Sequence, residues 1–463
     1  MRGEVLVGGL ITATATPPGK GAIGLVRMSG RGARAAAQRF LQLPGELRPR
    51  RATLCWAADG AERIDQVLAT YFPPAASYTG EEMIEISAHG SPYVLERLLR
   101  LARDAGARLA RPGEFTQRAY LNGKLDLAQA EAVCELISAQ TERAHRAAVS
   151  QLAGGLSRRI AALRSTLIEL TAQIEAELDH PEEDIPLLPV REAGRRVDEL
   201  HAALCRLTDS HRRGRLVKRG ARIAIVGRPN AGKSTLLNAL LGRERAIVSA
   251  RPGTTRDTIE ESAEIAGYAA VLVDTAGLLA RAKNAVEREG QRRTRRELER
   301  ADLALWVLDR TVKPGRRAEV LRDLSARTRT SERGAIAVLN KCDREPAGLT
   351  PRHIGGGVPA LEISARTGAG LPELVRSIRR ALENGGGAEQ DEVLVASERH
   401  YALLCAARDG MAAARTVLGE DERRGELAAA SLRRALGALD EILGTDAPEA
   451  VLAEIFSRFC IGK

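Results

Sequence analysis

Aromatic residues are scarce in this chain. Tryptophan, tyrosine and phenylalanine make up 3% of 463 residues, although 44% of the residues are hydrophobic. Its cores must therefore be built from Leu, Ile, Val and Ala, which favours helices packed on helices and buried parallel sheets. Cysteine is also sparse. Cys55, Cys134, Cys205, Cys342, Cys405 and Cys460 are scattered, with no CxxC pair. That spacing excludes a disulfide framework and an ordinary zinc site, and it fits reduced thiols in a cytoplasmic protein. No run of about 18 apolar residues occurs, so no membrane-spanning helix and no membrane partner are expected. Residues 1–15 hold an arginine, a short apolar run and small residues, but Glu4 and two glycines interrupt them. They are not expected to direct export.

Charge is present in both signs and leans positive: Lys plus Arg is 70, Asp plus Glu is 60, and the net is +10. A polyanionic partner such as RNA fits that balance, as do simply solvated arginine-rich helices. Charge alone does not choose between them.

The length suggests two to four domains. Residues 1–121 read as an α+β domain, with strand candidates at 22–28, 67–72 and 83–86 and a helix over 94–105 that starts near Ser91-Pro92. From 122 the rhythm becomes helical. Apolar residues at 152, 156, 160, 163, 167, 170, 174 and 178 recur in steps of three and four, the mark of one long amphipathic helix. A second helix is expected over 189–207, and Leu432, Leu436, Leu439 and Leu443 repeat the pattern. Between these segments stand short apolar runs at 223–226, 270–273, 304–308 and 335–339, the pattern of a buried, mainly parallel sheet. Residues 212–220 read as a basic linker into that region, and Asn384-Gly385-Gly386-Gly387 as the linker out. The expected organisation is an N-terminal domain (1–121), a helical domain in two parts (122–217 and 385–463) and an α/β domain inserted between them (218–384).

Gly227-Arg228-Pro229-Asn230-Ala231-Gly232-Lys233-Ser234 follows a strand candidate and precedes a helix expected over 234–241. This is a phosphate-binding loop in its required context. Its backbone N–H groups would face the phosphates, Lys233 would reach the β- and γ-phosphates, and the Ser234 hydroxyl would ligate Mg²⁺. Thr235 continues the loop's helix. Asp274-Thr275-Ala276-Gly277 closes another strand, as expected for an Mg²⁺-side carboxylate and a glycine N–H facing the γ-phosphate. Asn340-Lys341-Cys342-Asp343 closes a third. Asp343 can accept hydrogen bonds from the N1–H and 2-amino groups of guanine, which adenine lacks. Ser364-Ala365-Arg366 would support the base. These motifs in this order indicate a GTPase. Leu278 follows Gly277, where Ras-type enzymes place the glutamine that orients water. No arginine finger is identifiable from spacing.

Pro252-Gly253-Thr254-Thr255-Arg256-Asp257, together with Asn230, resembles the translation-factor-related GTPases that potassium activates on dimerisation. The whole chain resembles the MnmE (TrmE) family of tRNA modification GTPases. The matching stretches are Thr16-Pro17-Pro18-Gly19-Lys20-Gly21-Ala22-Ile23-Gly24, Ser77-Tyr78-Thr79-Gly80-Glu81, His89-Gly90, Arg111-Pro112-Gly113-Glu114-Phe115-Thr116, Leu121-Asn122-Gly123-Lys124-Leu125-Asp126-Leu127 and the ending Cys460-Ile461-Gly462-Lys463.

The resemblance implies a multidomain α+β fold: a tetrahydrofolate-binding-like N-terminal domain that dimerises, a discontinuous helical domain and an inserted Ras-like P-loop GTPase domain. It implies K⁺ held by Asn230, Ser249, Arg251 (through its carbonyl) and Thr254, with Thr255 joining Ser234 on Mg²⁺. Glu287 matches the family's water-orienting glutamate; the bland reading is a solvated helix carboxylate. Arg27, Glu85, Lys124 and Lys463 match its folate contacts, and the folate would be a 5-formyl- or methylene-tetrahydrofolate. Without the resemblance, each would read as a structural or surface charge. His89 reads equally as a ligand or a loop histidine. Cys460 would be a nucleophile or proton donor, or simply an anchor that packs.

The function so implied is K⁺-dependent GTP hydrolysis in the modification of wobble uridine 34 at C5 of certain tRNAs. An aminomethyl or carboxymethylaminomethyl group would be added with a flavin (FAD)-dependent, MnmG-type partner protein, in a heterotetramer built on the homodimer. The alternative is a GTP-switched RNA-binding or ribosome-assembly factor without modifying activity. A third is a stand-alone folate-binding module with a vestigial switch, which the intact nucleotide motifs oppose.

Overall fold

In the computed structural model the described residues are 9–179, 189–243, 260–274, 296–312, 334–345, 349–354, 358–383, 393–420 and 425–463. They form two compact units. One comprises Met1–Ile137, Gln151–Gly194 and Ala413–Lys463; the other comprises Ser138–Ser150 and Arg195–Ala412. Compactness thus groups 195–217 and 393–412 with the region expected as the inserted α/β domain.

The first unit holds a seven-stranded sheet of order β3-β4-β5-β6-β2-β1-β7. Its strands are β1 (Ile11–Thr14), β2 (Ile23–Ser29), β3 (Leu41–Gln42), β4 (Thr53–Asp59), β5 (Glu62–Phe72), β6 (Met83–His89) and β7 (Arg108–Leu109). All neighbours pair antiparallel except β1 and β7. Alternation sets the faces. Val26, Met28, Ile84 and Ile86 point into a core shared with Ala33, Ala36 and Ala37 of helix α1 (Ala33–Gln38) and closed by Leu95, Leu98 and Leu101 of helix α2 (Pro92–Asp104). Helix α2 begins at Pro92, at the expected Ser91-Pro92 start, because proline's fixed φ suits a first helical turn. Arg27 and Glu85 alternate out to the opposite face, and the β2–β6 register places them directly across from each other.

Helices α3 (Glu114–Leu121), α4 (Leu127–Ser138), α5 (Glu142–Leu152) and α6 (Gly155–Asp179) follow. The stripe expected to form a single helix from residue 152 is broken at its start. Leu152 ends α5, and the chain turns at Gly154, where φ is +81° and the N–H donates to the Gln151 carbonyl. Leu156, Ile160, Leu167, Leu170 and Ile174 of α6 are buried. The four-residue step from 152 to 156 happens to continue the helical period across the turn, so periodicity alone cannot see the break. Helix Gly425–Leu443 packs on α6, with Leu432 and Leu439 buried and Arg164–Asp440 and Arg433–Glu175 ion pairs beside them.

In the second unit a six-stranded sheet has the order β13-β12-β11-β8-β10-β9. Its strands are β8 (Ala221–Gly227), β9 (Glu260–Ile265), β10 (Tyr268–Asp274), β11 (Leu303–Asp309), β12 (Ala335–Asn340) and β13 (Ala360–Glu362). Only β9–β10 is antiparallel. The strands are apolar on both faces because cores lie on both faces. β8 lies between β10 and β11, where strand order reverses, so the crevice beyond its carboxyl end is the place for a ligand.

α7 (Val190–Asp209) is followed by α8 (His211–Arg219). The basic stretch expected as a linker over 212–220 is therefore mostly helical. Leu216 and Val217 enter the sheet's core, and Gly214 lies so close to the Val395 carbonyl that a Cβ would sit 2.3 Å from its oxygen. Composition hid this helix because only three of its nine residues are apolar or glycine in the right places to pack. Residues 384–387, the expected linker out, lie outside the described residues.

Candidate functional site

β8 ends at Gly227 and α9 (Lys233–Arg243) begins at Lys233, so residues 228–232 form the turn between them. Asn230 and Gly232 have φ of +63° and +93°. The glycine is demanded twice over, by that angle and by space: a Cβ on it would lie 2.2 Å from Asn340 Nδ2. Buried Asn340 joins two loops. Its Nδ2 donates to the Ala231 carbonyl at 2.9 Å, and its Oδ1 accepts the Ala365 N–H at 3.0 Å. Lys233 is also buried, its ammonium donating to the Gly227 and Arg228 carbonyls at 2.8 and 2.9 Å. Ser234 and Thr235 occupy the first turn of α9, exposed. Gly232→Ala is expected to push Asn340 off both loops and to reduce guanine-nucleotide affinity at least tenfold. Calorimetric titration with GDP checks this; wild-type affinity would contradict it.

Lys341 has φ +70° and spans the site: its ammonium donates to the Asn230 carbonyl at 2.8 Å and to Asp309 Oδ2 at 2.6 Å. Burial would raise the Asp309 carboxyl, but hydrogen bonds from Lys341 and Thr311 prevail and hold it below its ordinary value. Sequence reading missed Asp309. Its signal is the end of β11, where register sets Asp309 beside Asn340.

The Asp343 carboxylate is fixed at both oxygens. Ser364 Oγ donates to Oδ1 and Arg366 to Oδ2, each at 2.7 Å. The Ser364 hydrogen bond above all keeps it anionic, holding its pKa below the ordinary value. β10 ends at Asp274. Thr275, Ala276, Gly277, Leu278, Ser249, Arg251, Thr254, Thr255 and Glu287 lie outside the described residues.

The first unit assembles a second group. Arg27 Nε pairs with Glu85 Oε1 at 2.7 Å, and Arg27 Nη1 donates to the Gly462 carbonyl at 3.4 Å. The last residues are held by backbone. The Gly113 N–H reaches the Cys460 carbonyl at 3.4 Å. Gly113 and Gly462 have φ of +68° and +92°; a Cβ on them would lie 2.7 Å from the Phe456 oxygen and 2.3 Å from the Thr14 oxygen. Phe456 and Phe459 are buried against Leu127, Ala130 and Val133. Cys460 itself is exposed. Burial, followed by the Arg27 charge, lowers the Lys463 ammonium pKa, opposed by Glu85 and Cys460. Sequence thus led to Arg27, Glu85, Cys460 and Lys463, which the fold brings to one place. Lys124 points elsewhere in its hydrogen bonding, donating to the Ala75 carbonyl at 2.9 Å. The exposed His89 ring meets Asp65, a partner sequence reading did not supply, with Nδ1 2.7 Å from Oδ1.

The loop that receives the tail is anchored from below. Buried Glu114 accepts from Arg108, from the Arg111 N–H and from Arg118. Burial alone would raise its carboxyl, yet these donors bring it down to about 2. Arg118 continues to Glu81, which accepts from Ser29.

Two family models match the chain: the MnmE helical domain over residues 127–460, and the GTP-binding protein TrmE N-terminus over residues 10–124. The tRNA modification GTPase MnmE of Aquifex aeolicus is 42% identical over 455 residues, covering 98% of this chain and 99% of its own. That of Azoarcus sp. is 45% identical over 458 residues, covering 98% of each. Among solved structures, Era of Aquifex aeolicus bound to GDP and AlF4⁻ is 28% identical with a TM-score of 0.28, over 42% of this chain and 67% of its own. Among the described residues no helix is long and apolar enough to cross a membrane.

Proposed function

Because this chain belongs to the tRNA modification GTPase MnmE family and is a GTP hydrolase, we propose that its GTPase cycle is K⁺-dependent and serves C5 modification of wobble uridine 34 in tRNA. The observation that carries the modification half is the docking of the tail. The Gly462 carbonyl accepts from Arg27, which pairs with Glu85, the Lys463 ammonium lies within the field of both, and Cys460 is exposed beside them. A carboxylate such as Glu85 can hold the amino-pyrimidine edge of a tetrahydrofolate by paired hydrogen bonds, and Arg27 and Lys463 can meet its glutamate tail. The folate supplies the one-carbon unit. A flavin-dependent partner protein and a second copy of the chain complete the assembly, in the cytoplasm.

At the nucleotide, Asp343 selects guanine, Lys233 holds the β- and γ-phosphates, and Ser234 with Thr255 would hold Mg²⁺. The Gly232 turn fits a phosphate group: it leads into the first turn of α9, whose free backbone N–H groups would face the phosphate, and it stays tight because a Cβ on Gly232 would strike Asn340. Asn230, Ser249, Arg251 and Thr254 would hold K⁺, which supplies the positive charge that an arginine finger supplies elsewhere. Glu287 orients the attacking water in place of the glutamine that Leu278 replaces.

Single-turnover GTP hydrolysis is expected to run at least tenfold faster in KCl than in NaCl. Asn230→Ala should erase the difference while GDP still binds. Equal wild-type rates in the two salts would refute the K⁺ assignment. For the modifying half, isotope-labelled one-carbon folate given to the protein, its flavin partner and tRNA should place label at C5 of uridine 34. Unlabelled tRNA from an active reaction overturns the folate role.

A further inference from the structure

A short stretch carries a net charge equal to half that of the whole chain. Residues 31–51 hold six arginines and one glutamate, a net of +5 against +10 for the whole chain. The fold gathers most of them around Tyr71. Residues 48–51 form a turn, the Arg51 N–H donating to the Arg48 carbonyl at 3.3 Å. That turn is pinned to the end of β5: Pro49 bridges Tyr71, and the Arg50 N–H donates to the Tyr71 carbonyl at 2.7 Å. The Arg34 guanidinium lies 5.2 Å from the Tyr71 ring centre. Glu82 links the Tyr71 hydroxyl to the Gly32 N–H, which sets Arg31 on the same rim.

Arg34 is paired with Glu46. Arg31, Arg48, Arg50 and Arg51 are exposed and have no side-chain hydrogen bond or ion pair among the described residues. Elsewhere on this unit arginines such as Arg27, Arg97, Arg108, Arg118 and Arg164 are matched by carboxylates. Gathering unmatched like charges opposes folding through mutual repulsion. Arg50 adds a cost of its own, since its φ of +58° lies where a non-glycine residue is strained. Glycine would remove both costs at that position. Guanidinium forks match phosphate oxygens, and four of them on one turn and its rim match successive phosphates of a nucleic-acid backbone. Helix α1, which borders this surface, has alanine at four of its six positions and no large apolar side chain to seat in a lipid interface.

We propose that Arg31, Arg48, Arg50 and Arg51 form a phosphate-backbone contact surface for the tRNA substrate. The proposal rests on the reading that tRNA is what this protein acts on, and it adds where the RNA lies.

The probe is an unmodified tRNA transcript titrated into the full chain at several KCl concentrations. The variant is R48S/R50G/R51S; its glycine fits the local backbone, and none of its changes touches the nucleotide loops. Its tRNA affinity at low salt should fall roughly tenfold or more. The slope of log K against log salt should flatten by about 2, from roughly 0.7–0.9 for each phosphate that the variant no longer neutralises. GTP hydrolysis should stay at the wild-type value, and the thermal transition should not fall below it, since the variant relieves like-charge repulsion and the Arg50 strain. Wild-type affinity and slope in this variant overturn the contact surface and leave the substrate reading standing. Absence of tRNA binding by the wild-type chain overturns both. If the variant loses binding to poly-glutamate but keeps wild-type tRNA binding, the surface belongs to an acidic protein partner and the RNA assignment fails.

Discussion

Asp343→Asn is expected to weaken GTP binding by roughly 10⁴-fold and to let xanthosine nucleotides bind in its place. A carboxylate accepts from both the N1–H and the 2-amino group of guanine. An amide in the same position presents one donor edge to those donors and leaves a polar clash. The effect should be large because the carboxylate is already oriented: Ser364 and Arg366 hold one oxygen each, and their hydrogen bonds keep it anionic. The base site therefore needs little reorganisation on binding, and little can be recovered by rearrangement when its charge is removed. Equilibrium titration with GTP, ATP and XTP reads the outcome. A variant that still prefers GTP, or a wild-type chain with similar affinities for GTP and ATP, contradicts this assignment.

Deleting residues 460–463 is expected to abolish the tRNA modification and to leave GTP hydrolysis at the wild-type rate. These residues dock within the first unit, on Gly113, Thr14 and Arg27, whereas the loops around Asn230, Lys341 and Asp343 belong to the second. Two point variants separate the causes. Cys460→Ser keeps the backbone carbonyl that accepts from Gly113 and removes only the thiol. Gly113→Ala keeps the thiol but strains a residue at φ +68° and drives a Cβ into the Phe456 carbonyl, and so should loosen the tail. Loss of modification in both, with hydrolysis intact, assigns chemistry to a thiol that must be held in place. Full modification with Cys460→Ser leaves the thiol a packing role only.

The loops of the candidate nucleotide site were legible because each of their motifs is local. A strand, a glycine turn and a helix follow one another in the chain from Ile223 to Leu241, and Asn340-Lys341-Cys342-Asp343 needs only the strand before it. The sequence could not supply what register brings together. Asp309 meets Lys341 because β11 and β12 pair, and 32 positions separate them. Arg27 and Glu85 meet across β2 and β6, which no helical or alternating pattern reveals; the family resemblance pointed to them, and the pairing explains them. The misread segments fail for physical reasons too. Helix α8 carries so many arginines that its small buried face, Gly214, Leu216 and Val217, does not stand out. The turn at Gly154 keeps the apolar stripe in step, so α5 and α6 read as one helix.

Nucleoside analysis of tRNA from cells lacking this protein tests the account most directly. The expected result is uridine 34 unmodified at C5 in its substrate tRNAs, restored by the wild-type chain and not by the chain ending at Phe459. Wild-type levels of the modified uridine in the deletion strain would contradict it and favour a GTP-switched RNA-binding or ribosome-assembly role.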